Sequence, residues 1–409
     1  MWPWERRKRA QLSLSERRAE QAWARLAAPI RSWSIRRALP VVGPRRVMSW
    51  TVEDGRFVEP RETEGWLDLE GAWWFPGLVN AHEHLGFSNA PLTAPGAPYA
   101  SMSAWAADAK PSARRGTLQR AMRLPLVERF WIGMLRNLLT GATTAIHHDA
   151  GHSVMGPGAL IQVPAIGWTH SLPFGRDPEA EHAVTEGAPF VLHLAEGTDP
   201  ASRSEYDEAV ERGLIGPGTV AVHGLALSPE QLADFASRGG ALVWCPSSNR
   251  ALYGRTLRLD AIPDALPLLL GTDSPLSGGP LLLEEARVAV DAGLPLERLL
   301  PMLTTVPAEV FHLKSADQRV PGGVADGFAI ERVTDDPIAD LLDTPPEQIL
   351  CVVSGGRPLV IDERLTHELE DLQAGLVFRG FRKRVRPEGI APIRHLLVDG
   401  EDVPEAWVP

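Results

Sequence analysis

The sequence predicts an α/β fold in which a parallel (β/α)8 barrel of the TIM type carries a small β-sandwich domain. Three observations predict this fold. Short apolar runs alternate with segments of helical periodicity after Pro76, which is typical of βα units. The runs are apolar on both faces, as strands of a parallel sheet must be. Strand-like segments with glycine turns precede and follow this region, so the small domain is expected to combine segments from both sides of the barrel.

Seven apolar runs are predicted as barrel strands, and each ends in or next to a polar or ionisable residue. They are residues 77–84, 141–148, 162–170, 190–196, 219–224, 241–246 and 267–273. Helices are predicted at residues 124–139, 203–214, 229–238, 281–292 and 295–311. Only 44 residues lie between His148 and His193, whereas two complete βα units need roughly 30 or more each. We therefore expect an abbreviated or distorted barrel around residues 149–192.

The same pattern divides the chain into four parts. These are a basic N-terminal arm at residues 1–46, the composite β-domain at 47–75 and 314–363, the barrel at 76–313, and a C-terminal tail at 364–409. The dipeptide Asp54-Gly55 marks a hairpin in the first β-segment. The pattern does not predict a structure for the tail.

Composition places the chain among globular proteins, with 409 residues of which 44% are hydrophobic and 23% charged. Its two cysteines exclude a disulfide framework and a Cys-rich metal cluster, and they favour a reducing compartment. No apolar run approaches the roughly 18 to 20 residues that cross a bilayer. We therefore expect a cytoplasmic protein without a membrane partner. The net charge of −11 argues against nucleic acid as the main partner.

The basic arm is the exception to this acidic balance. Residues 1–46 contain twelve Arg and Lys residues against three Glu. The interpretation we favour is a solvated arm or a helix that lies on the acidic body. Contact with nucleic acid or a membrane surface, and a translation start at Met48, are the alternatives. Formation of a homo-oligomer is left open.

Ionisable residues recur where the predicted strands end. His82 and His84 are two residues apart, so both imidazoles lie on one face of a strand. His193, His223 and Asp273 each follow a later apolar run. A buried ionisable group is costly unless it is paired or ligated, and the carboxyl ends of barrel strands meet at one rim. One such histidine would be explained as a core residue, but this recurrence predicts a metal site.

Three neutral imidazoles and a carboxylate suit Zn²⁺, and Fe²⁺ or Mn²⁺ also fit this ligand chemistry. Such an ion lowers the pKa of a bound water from 15.7 to roughly 7. A second ion would need a bridging anion, for which a carbamylated lysine is one source. The stretch from the second to the eighth strand contains none of the four lysines, which are Lys8, Lys110, Lys314 and Lys383. We therefore predict one divalent ion, with zinc preferred.

Six motifs, in this order, resemble those of the amidohydrolase superfamily. They are PGLVNAHEHL (76–85), GATTAIHHD (141–149), HLAE (193–196), VHG (222–224), PSSN (246–249) and GTDS (271–274). The branch that they resemble most contains cytosine, guanine and S-adenosylhomocysteine deaminases and triazine hydrolases. The resemblance extends from about residue 50 to residue 362. It implies that the metal is held by His82, His84, His193 and Asp273 and that Glu196 and His223 are catalytic.

The resemblance implies a hydrolase that acts on C–N bonds other than peptide bonds, and hydrolytic deamination of a small nitrogen heterocycle is the preferred reaction. Glu196 is expected to move the proton, although it could be a loop carboxylate at a helix start. We expect His223 to donate a hydrogen bond to the attacked site or the water, and Asp273 to accept the proton of the water. Ring opening of a cyclic amide or amidine, as in imidazolonepropionase-like relatives, is the alternative. A metal-binding scaffold without turnover is less favoured.

Further residues near the strand ends are predicted to contact the substrate. They are Trp168, His170, Ser247, Asn249, Arg250 and Ser274. Trp168 could instead belong to the core, and the run Ser247-Ser248-Asn249 could serve a turn. His147 and His148 are expected either to orient the ligands or to pack in the core.

Overall fold

Two sheet systems made from different parts of the chain build the molecule. The computed structural model describes residues 13–28, 31–150, 156, 158–173, 188–313 and 322–408, without the side chains of residues 111–115. A parallel system occupies the middle of the chain, and a mixed sheet combines its beginning and its end.

The described strands are short, and consecutive blocks of them belong to one or the other system. Those of the mixed sheet are β1 (Trp33–Pro40), β2 (Met48–Glu53), β3 (Arg56–Val58), β4 (Gly65–Asp68), β5 (Trp73–Pro76), β13 (Gly327–Ile330), β14 (Cys351–Ser354), β15 (Arg357–Asp362), β16 (Ala374–Phe378) and β17 (Phe381–Val385). The parallel strands are β6 (Leu78–Glu83), β7 (Ala142–His147), β8 (Gly167–Ser171), β9 (Phe190–Leu194), β10 (Thr219–His223), β11 (Ala241–Trp244) and β12 (Leu268–Leu270).

Helices connect and cover the parallel strands. They are α1 (Leu14–Leu26), α2 (Met102–Arg115), α3 (Thr117–Ala121), α4 (Leu126–Leu138), α5 (Pro200–Glu211), α6 (Pro229–Ser237), α7 (Pro246–Tyr253), α8 (Leu282–Asp291), α9 (Leu296–Leu303), α10 (Thr305–Val310), α11 (Pro337–Asp343) and α12 (Pro387–Ile390). Within the described ranges, none of the helices combines the length and apolarity that crossing a bilayer requires.

The parallel strands run side by side, so their carboxyl ends lie together. Strands β8 to β12 form a five-stranded sheet in chain order, and β6 pairs with β7. A bridge between Thr144 and Gln162 extends the β7 edge. Beyond β12, the amides of Thr272 and Asp273 donate to the carbonyl of His82 at 3.1 and 3.0 Å. These bonds bring the end of β12 against the end of β6.

The predicted strand at residues 162–170 is divided in two. Gln162 bridges to Thr144, and β8 begins only at Gly167. Pro164 lies between them, and a proline has no N–H group to donate to a ladder. In the part of the chain that the structure describes, the ladders therefore stop short of one continuous closed barrel. The interruption falls in the region where we expected a distortion.

The predicted helix at residues 295–311 is also divided, because α9 ends at Leu303 and α10 begins at Thr305. Thr304 between them has φ −138° and ψ −81°, which is not helical. Pro307 is the cause, since a proline lacks the N–H of the helical hydrogen bond and clashes with the carbonyl four residues earlier.

Apolar residues cover both faces of the parallel strands, as a buried parallel sheet requires. One cluster joins alternate residues of five strands: Val79, Val191, Val220, Val243 and Leu269. A larger cluster joins the opposite faces of these strands to the helices. The polar strand ends therefore lie at the edge of strands whose two faces are both covered by apolar side chains.

The mixed sheet has ten strands, in the order β16-β17-β15-β14-β13-β5-β1-β2-β3, with β4 paired to β1. It combines segments from both sides of the parallel strands, and its division into a sandwich stays a prediction. The strands of this sheet cross the predicted domain boundaries in two places. Strand β1 lies inside the stretch predicted as a basic arm, and β16 and β17 lie inside the predicted tail. Charged residues hid these strands: Arg36 and Arg37 interrupt the buried run of β1, and Arg382 and Arg384 alternate with buried positions in β17.

The basic arm also contains helix α1. A capping box starts it, with Ser13 and Glu16 bonding each other's backbone amides. Its buried stripe belongs to the larger apolar cluster and consists of Ala19, Ala22, Trp23 and Leu26. The Trp23 ring packs 5.6 Å from that of Trp131 on α4. The arm between residues 14 and 26 is thus a helix lying on the body, while residues 1–12 are outside the described residues.

Candidate metal centre

Strand β6 brings His82 and His84 to the rim of the parallel strands. All six residues of β6 are buried, and both histidine side chains are nearly inaccessible. Gly271 lies directly against His82, because a Cβ at position 271 would be 2.7 Å from both the Cβ and the backbone nitrogen of His82. The glycine of the motif GTDS thus allows β12 to approach β6, which explains why a residue with no side chain stands there.

The remaining predicted site residues lie at the ends of β9, β10 and β12. The backbone there has positive φ values, which are rare for residues other than glycine. Ala195, His223 and Asp273 have φ values of 52°, 72° and 58°. A non-glycine residue in this left-handed region costs free energy and is enriched at functional sites. The three strands therefore leave the sheet by strained turns that direct His193, Glu196, His223 and Asp273 toward one point.

The donor atoms at this point lie within metal-binding distance of one another. The Nε2 atoms of His84 and His193 are 3.4 Å apart. Oδ1 of Asp273 lies 3.6 Å from Nε2 of His84 and 3.8 Å from Nε2 of His82. The ligand atoms of the three histidines all lie within 4.8 Å of one another. The structure thus brings together the four residues that the sequence predicts as ligands.

The protonation of these imidazoles suits metal binding. Burial, followed by the neighbouring imidazoles, lowers the pKa of His82, His84 and His193 well below the usual value of histidine, which keeps them neutral. Nδ1 of His193 donates to the carbonyl of His170 at 2.8 Å. This bond fixes the tautomer, so Nε2 of His193 presents a lone pair to the site.

Among the described residues, several nitrogen atoms of the site have no hydrogen-bond partner. They are Nδ1 and Nε2 of His82, Nδ1 of His84 and Nε2 of His223, all inaccessible to solvent. A buried polar atom without a partner is costly. A cation bound here would remove that cost for the nitrogens that face it. Three imidazoles and one carboxylate are ligands that zinc takes, so the residues present fit a divalent metal ion.

Hydrogen bonds hold the Asp273 carboxylate so that its Oδ1 faces the imidazoles of His82 and His84. Oδ2 accepts hydrogen bonds from the hydroxyls of Ser248 and Ser277, both at 2.7 Å. Oδ1 accepts one from the amide of Ser274 at 2.8 Å and faces His82 and His84. Ser277 was not predicted, because a serine in a Gly-rich turn carries no sequence signal for this role.

Glu196 and His223 form the other half of the site. Oε1 of Glu196 is 3.6 Å from Nε2 of His223 and accepts a hydrogen bond from the Tyr253 hydroxyl at 2.6 Å. Burial is the largest influence on the Glu196 carboxyl and raises its pKa. Nδ1 of His223 pairs with Oδ1 of Asn249 at 2.9 Å, so this nitrogen carries the proton. Nε2 of His223 lies 3.9 Å from Oδ2 of Asp273 and faces into the site.

A cavity of about 110 Å³ opens above these groups. Its polar wall includes His84, His170, Glu196, Asp273 and Ser274, and its apolar wall consists of Phe87, Met102, Trp105, Leu252 and Leu276. The apolar wall comes partly from the segment that enters α2. This segment is attached to the Glu196 loop, because the Met102 amide donates to the Glu196 carbonyl at 3.1 Å and the Thr198 amide to the Ala100 carbonyl at 2.7 Å.

Of the side chains predicted to contact substrate, the structure places His170 and Ser274 in the cavity wall. Trp168 packs against the apolar cluster of the parallel strands, which is the core position considered as its alternative. The Ser247 hydroxyl donates to the buried carboxylate of Glu285, and Asn249 holds His223. Trp168, Ser247 and Asn249 thus pack behind the residues that line the cavity. Arg250 is exposed.

His147 and His148 are both buried beside the ligands. Nε2 of His148 donates to the Thr169 carbonyl at 2.7 Å, and its ring stacks 4.3 Å from that of His193. Nδ1 of His147 accepts the Leu85 amide at 3.2 Å. His148 therefore packs against a ligand, whereas His147 ties down the turn that follows His84.

Two groups near the site gave no usable sequence signal. Tyr253 lies four residues after the motif PSSN and reaches Glu196 only because α7 turns it back toward the rim. Glu83 stands between two ligands, and burial raises the pKa of its carboxyl to about 7. Its oxygens accept the His84 amide at 3.1 Å and the Thr272 hydroxyl at 3.2 Å. Glu83 thus faces away from the cavity and supports the turn.

Comparison with known proteins agrees with this geometry. The model of the amidohydrolase family matches residues 179–359. A 5-methylthioadenosine/S-adenosylhomocysteine deaminase of Pyrococcus furiosus is 34% identical over 145 residues, which are 31% of this chain and 35% of that protein. The chain thus spans about a third of the length of the curated relative that it matches.

Two zinc-containing crystal structures have a similar fold. An adenosine deaminase from Xanthomonas campestris with bound zinc has a TM-score of 0.62 at 17% identity, covering 80% of this chain and 92% of that one. An atrazine chlorohydrolase from Arthrobacter aurescens TC1 complexed with zinc has a TM-score of 0.63 at 15% identity, covering 80% and 95%. At such low identities these likenesses concern the fold, which in both is of the TIM-like α/β type. Over residues 179–359 the chain thus matches the amidohydrolase family, in agreement with the ordered motifs, and its fold is similar to that of these two zinc-containing enzymes.

Proposed function

We propose that this protein is a metal-dependent hydrolase of C–N bonds other than peptide bonds, and that it deaminates a small nitrogen heterocycle with release of ammonia. One observation carries the proposal. Four ligand-type side chains, a buried glutamate and a buried histidine from four different strand ends converge on one cavity. We infer that the strands around this cavity form a distorted (β/α)8 barrel, with the chemistry at its carboxyl-terminal rim.

His82, His84, His193 and Asp273 would hold the ion. When bound, a divalent ion at this point supplies the Lewis acidity that makes a solvent molecule nucleophilic near neutral pH. The protein contributes the tautomer of His193, through its bond to His170, and the orientation of Asp273, through the two serine hydroxyls. Zinc is the preferred ion on ligand chemistry, and one ion is expected.

Glu196 is suited to carry the proton to the substrate nitrogen. The carboxyl is 6% exposed and lines the cavity. Because burial raises its pKa, the protonated form is more accessible than that of an exposed glutamate, and a general acid must be protonated. After protonating the leaving nitrogen, the carboxylate is ready to accept the next proton.

His223 and Asp273 complete the proton path on the opposite side. Since Nδ1 of His223 carries its proton toward Asn249, Nε2 can donate a hydrogen bond only when the ring is doubly protonated. Nε2 of His223 faces the carboxyl oxygens of Glu196 and Asp273, 3.6 and 3.9 Å away. With a proton on Nε2, His223 stabilises negative charge that develops on the attacked group, and Asp273 accepts a proton from the nucleophile.

The substrate class rests on the cavity and on the relatives. The cavity is small, has an apolar wall with two aromatic side chains, and ends in polar groups, which suits a flat ring with an exocyclic amino group. The matched relative from Pyrococcus furiosus is a deaminase by its name, as is the neighbour from Xanthomonas campestris. These relatives support deamination over ring opening of a cyclic amide.

The test is a panel of amino-substituted heterocycles with the zinc-loaded protein. The panel contains cytosine, adenine, guanine, melamine, 5-methylthioadenosine and S-adenosylhomocysteine, together with cyclic amides as ring-opening substrates. Free ammonia is measured, and mass spectrometry separates replacement of an amino group by a hydroxyl from addition of a whole water molecule. We expect ammonia release from an amino-substituted ring.

Glu196→Gln is the matched variant for this assay. The amide keeps the shape of the side chain but cannot carry the proton, so we expect metal content to persist and turnover to fall by a factor on the order of 10²–10⁴. Glu211→Gln, at an exposed position of α5, is the control and should retain full turnover. Ring opening without ammonia would replace deamination with the alternative hydrolysis. A zinc-loaded protein that turns over none of these compounds would favour a binding scaffold.

A further inference from the structure

Helix α7 contacts three groups of the site at once. Ser248 donates to Asp273, Asn249 pairs with His223, and Tyr253 donates to Glu196. Asn249 and Tyr253 are four residues apart and therefore lie on the same face of the helix. Their targets, His223 and Glu196, are themselves neighbours at 3.6 Å. One rigid element thus sets the relative positions of groups that come from three different strands.

The contact of Tyr253 is the shortest of the three, with 2.6 Å between its hydroxyl and Oε1 of Glu196. The tyrosine is 4% exposed and the glutamate 6%. Burial, and then the charge of Glu196, raises the pKa of the Tyr253 phenol, so the hydroxyl keeps its proton and donates. Both the phenol and Nε2 of His223 face the same carboxylate oxygen, Oε1.

The direction of the phenol is fixed by the end of the helix. Gly254 terminates α7 in the left-handed conformation, with φ 69°, and its amide donates to the Arg250 carbonyl. The Leu252 carbonyl accepts the amide of Tyr99 at 2.7 Å, and the rings of Tyr99 and Tyr253 share one apolar cluster with Leu252. The phenol therefore has little freedom to rotate away from Glu196.

We propose that Tyr253 is a positioning residue for Glu196. It holds Oε1 beside His223 and leaves Oε2 as the oxygen that exchanges protons with the substrate. The part of this inference that concerns proton exchange rests on the proposed function, whereas the hydrogen bond itself does not. Tyr253 acts through Glu196 and has no contact with the reacting atoms in this assignment.

A spectroscopic experiment tests the hydrogen bond without any substrate. The chain has three tyrosines, and each donates to a carboxylate: Tyr99 to Asp108 at 2.7 Å, Tyr206 to Asp234 at 2.8 Å and Tyr253 to Glu196 at 2.6 Å. Protein labelled with ¹³C at the tyrosine ζ carbon should give one resonance for each, assigned by Tyr→Phe variants. We expect Glu196→Gln to move the Tyr253 resonance and leave that of Tyr206 in place. An unmoved Tyr253 resonance would overturn the proposal.

A kinetic experiment tests the consequence. Tyr253→Phe keeps the ring and removes the hydroxyl, so kcat on a heterocycle that the wild type deaminates should fall about tenfold to a hundredfold, with KM and zinc content unchanged. Tyr206→Phe removes the same kind of bond on α5, away from the site, and should keep the wild-type kcat. A Tyr253→Phe protein with wild-type kcat would refute the positioning role. If no heterocycle is turned over, the proposed function fails while the resonance of Tyr253 still decides the contact.

Discussion

The mixed sheet and the rim of the parallel strands both bury ionisable groups, but they satisfy them differently. In the sheet, Lys383 is 1% exposed, and its ammonium contacts Asp362 and donates to the Ile349 carbonyl, both at 2.7 Å. Asp362 also accepts from Arg364 at 2.8 Å. At the rim, the imidazole nitrogens of His82, His84 and His223 named above have no hydrogen-bond partner among the described residues. The ion pair of the sheet has its hydrogen-bond partners within the protein. The imidazole nitrogens at the rim need a bound ligand as their partner.

The backbone shows the same difference. In the sheet, Asp54 and Arg379 have positive φ in turns next to Gly55 and Gly380, and Arg37 has positive φ where the pairing of β1 with β2 shifts register. At the rim, His223 and Asp273 have positive φ at the ends of buried strands, where no turn is needed to close a hairpin. Unsatisfied atoms and backbone strain thus coincide at one place, and this coincidence separates a functional cluster from a structural ion pair.

The largest effect is expected at the rim itself. His82→Ala removes a ligand that contacts the other three, so the purified protein should lose its bound zinc and at least about a thousandfold of its activity. Elemental analysis after dialysis and the ammonia assay measure the two losses. His395→Ala, at an exposed position far along the chain, is the control. Zinc retained at the wild-type level by His82→Ala would show that His82 is not a ligand.

The buried ion pair of the sheet should affect stability alone. Asp362→Asn leaves the Lys383 ammonium buried beside an uncharged group, so the free energy of unfolding in urea should fall by about 3 kcal/mol. Zinc content should not change. Asp260→Asn removes the partner of Arg258 in an exposed ion pair and should leave the unfolding midpoint where it is. A loss of zinc in Asp362→Asn would contradict the separation between the two regions.

A pH dependence is expected where the two regions meet. Asp326 accepts the Gln162 amide at 2.8 Å and the Gly355 amide, and burial raises the pKa of its carboxyl to about 7. Because this pKa exceeds that of the unfolded chain, the folded protein binds more protons between about pH 4 and pH 7, and stability falls as the pH rises through that window.

Asp326→Asn should remove that decline, which amounts to at most about 4 kcal/mol at 1.36 kcal/mol per pKa unit. Urea unfolding at several pH values, with wild type and variant in parallel, measures it. Parallel stability curves for the two proteins would assign the decline to other carboxyl groups.

The smallest effect is expected at a residue that supports a ligand. Ser248→Ala removes one of two hydroxyls from Oδ2 of Asp273 and leaves that of Ser277, so zinc affinity should fall about tenfold. Competition with a chromophoric chelator gives the affinity. Ser204→Ala, whose hydroxyl bonds only to a carbonyl of its own helix, serves as the control. Unchanged affinity in Ser248→Ala would mean that Ser277 alone orients the carboxylate.

The site was more predictable from the sequence than the fold around it. Polar residues that interrupt apolar runs at strand ends made four residues recognisable, because burying an ionisable group costs free energy unless it is paired or ligated. These residues are His82, His193, His223 and Asp273. Their supports could not be found in this way. Tyr253 reaches Glu196 because of the direction of α7, and Ser277 reaches Asp273 because of the turn after β12. Neither direction can be predicted from a local sequence pattern.

Single elements were missed, or predicted as unbroken, where charge or proline competes with a simpler signal. Strand β17 has the sequence FRKRV, which resembles a solvated basic run, yet Lys383 in its middle is buried against Asp362. Pro164 and Pro307 interrupt a strand and a helix whose apolar periodicity continues past them. Hydrophobic patterns thus predict which residues are buried, but hydrogen-bonding capacity decides where an element ends.

The attachment of the α2 entry segment to the Glu196 loop links access and chemistry. Ser101 and Gly197 pair as a short antiparallel bridge, and a Cβ at position 197 would lie 2.7 Å from the Ala100 carbonyl and 2.2 Å from the Ser202 hydroxyl. The segment therefore cannot move outward to admit a larger molecule without moving Glu196, the proposed proton carrier, with it. Molecules that force this segment open should be poor substrates even when they bind, because the same displacement would take Glu196 away from the position proposed for proton transfer.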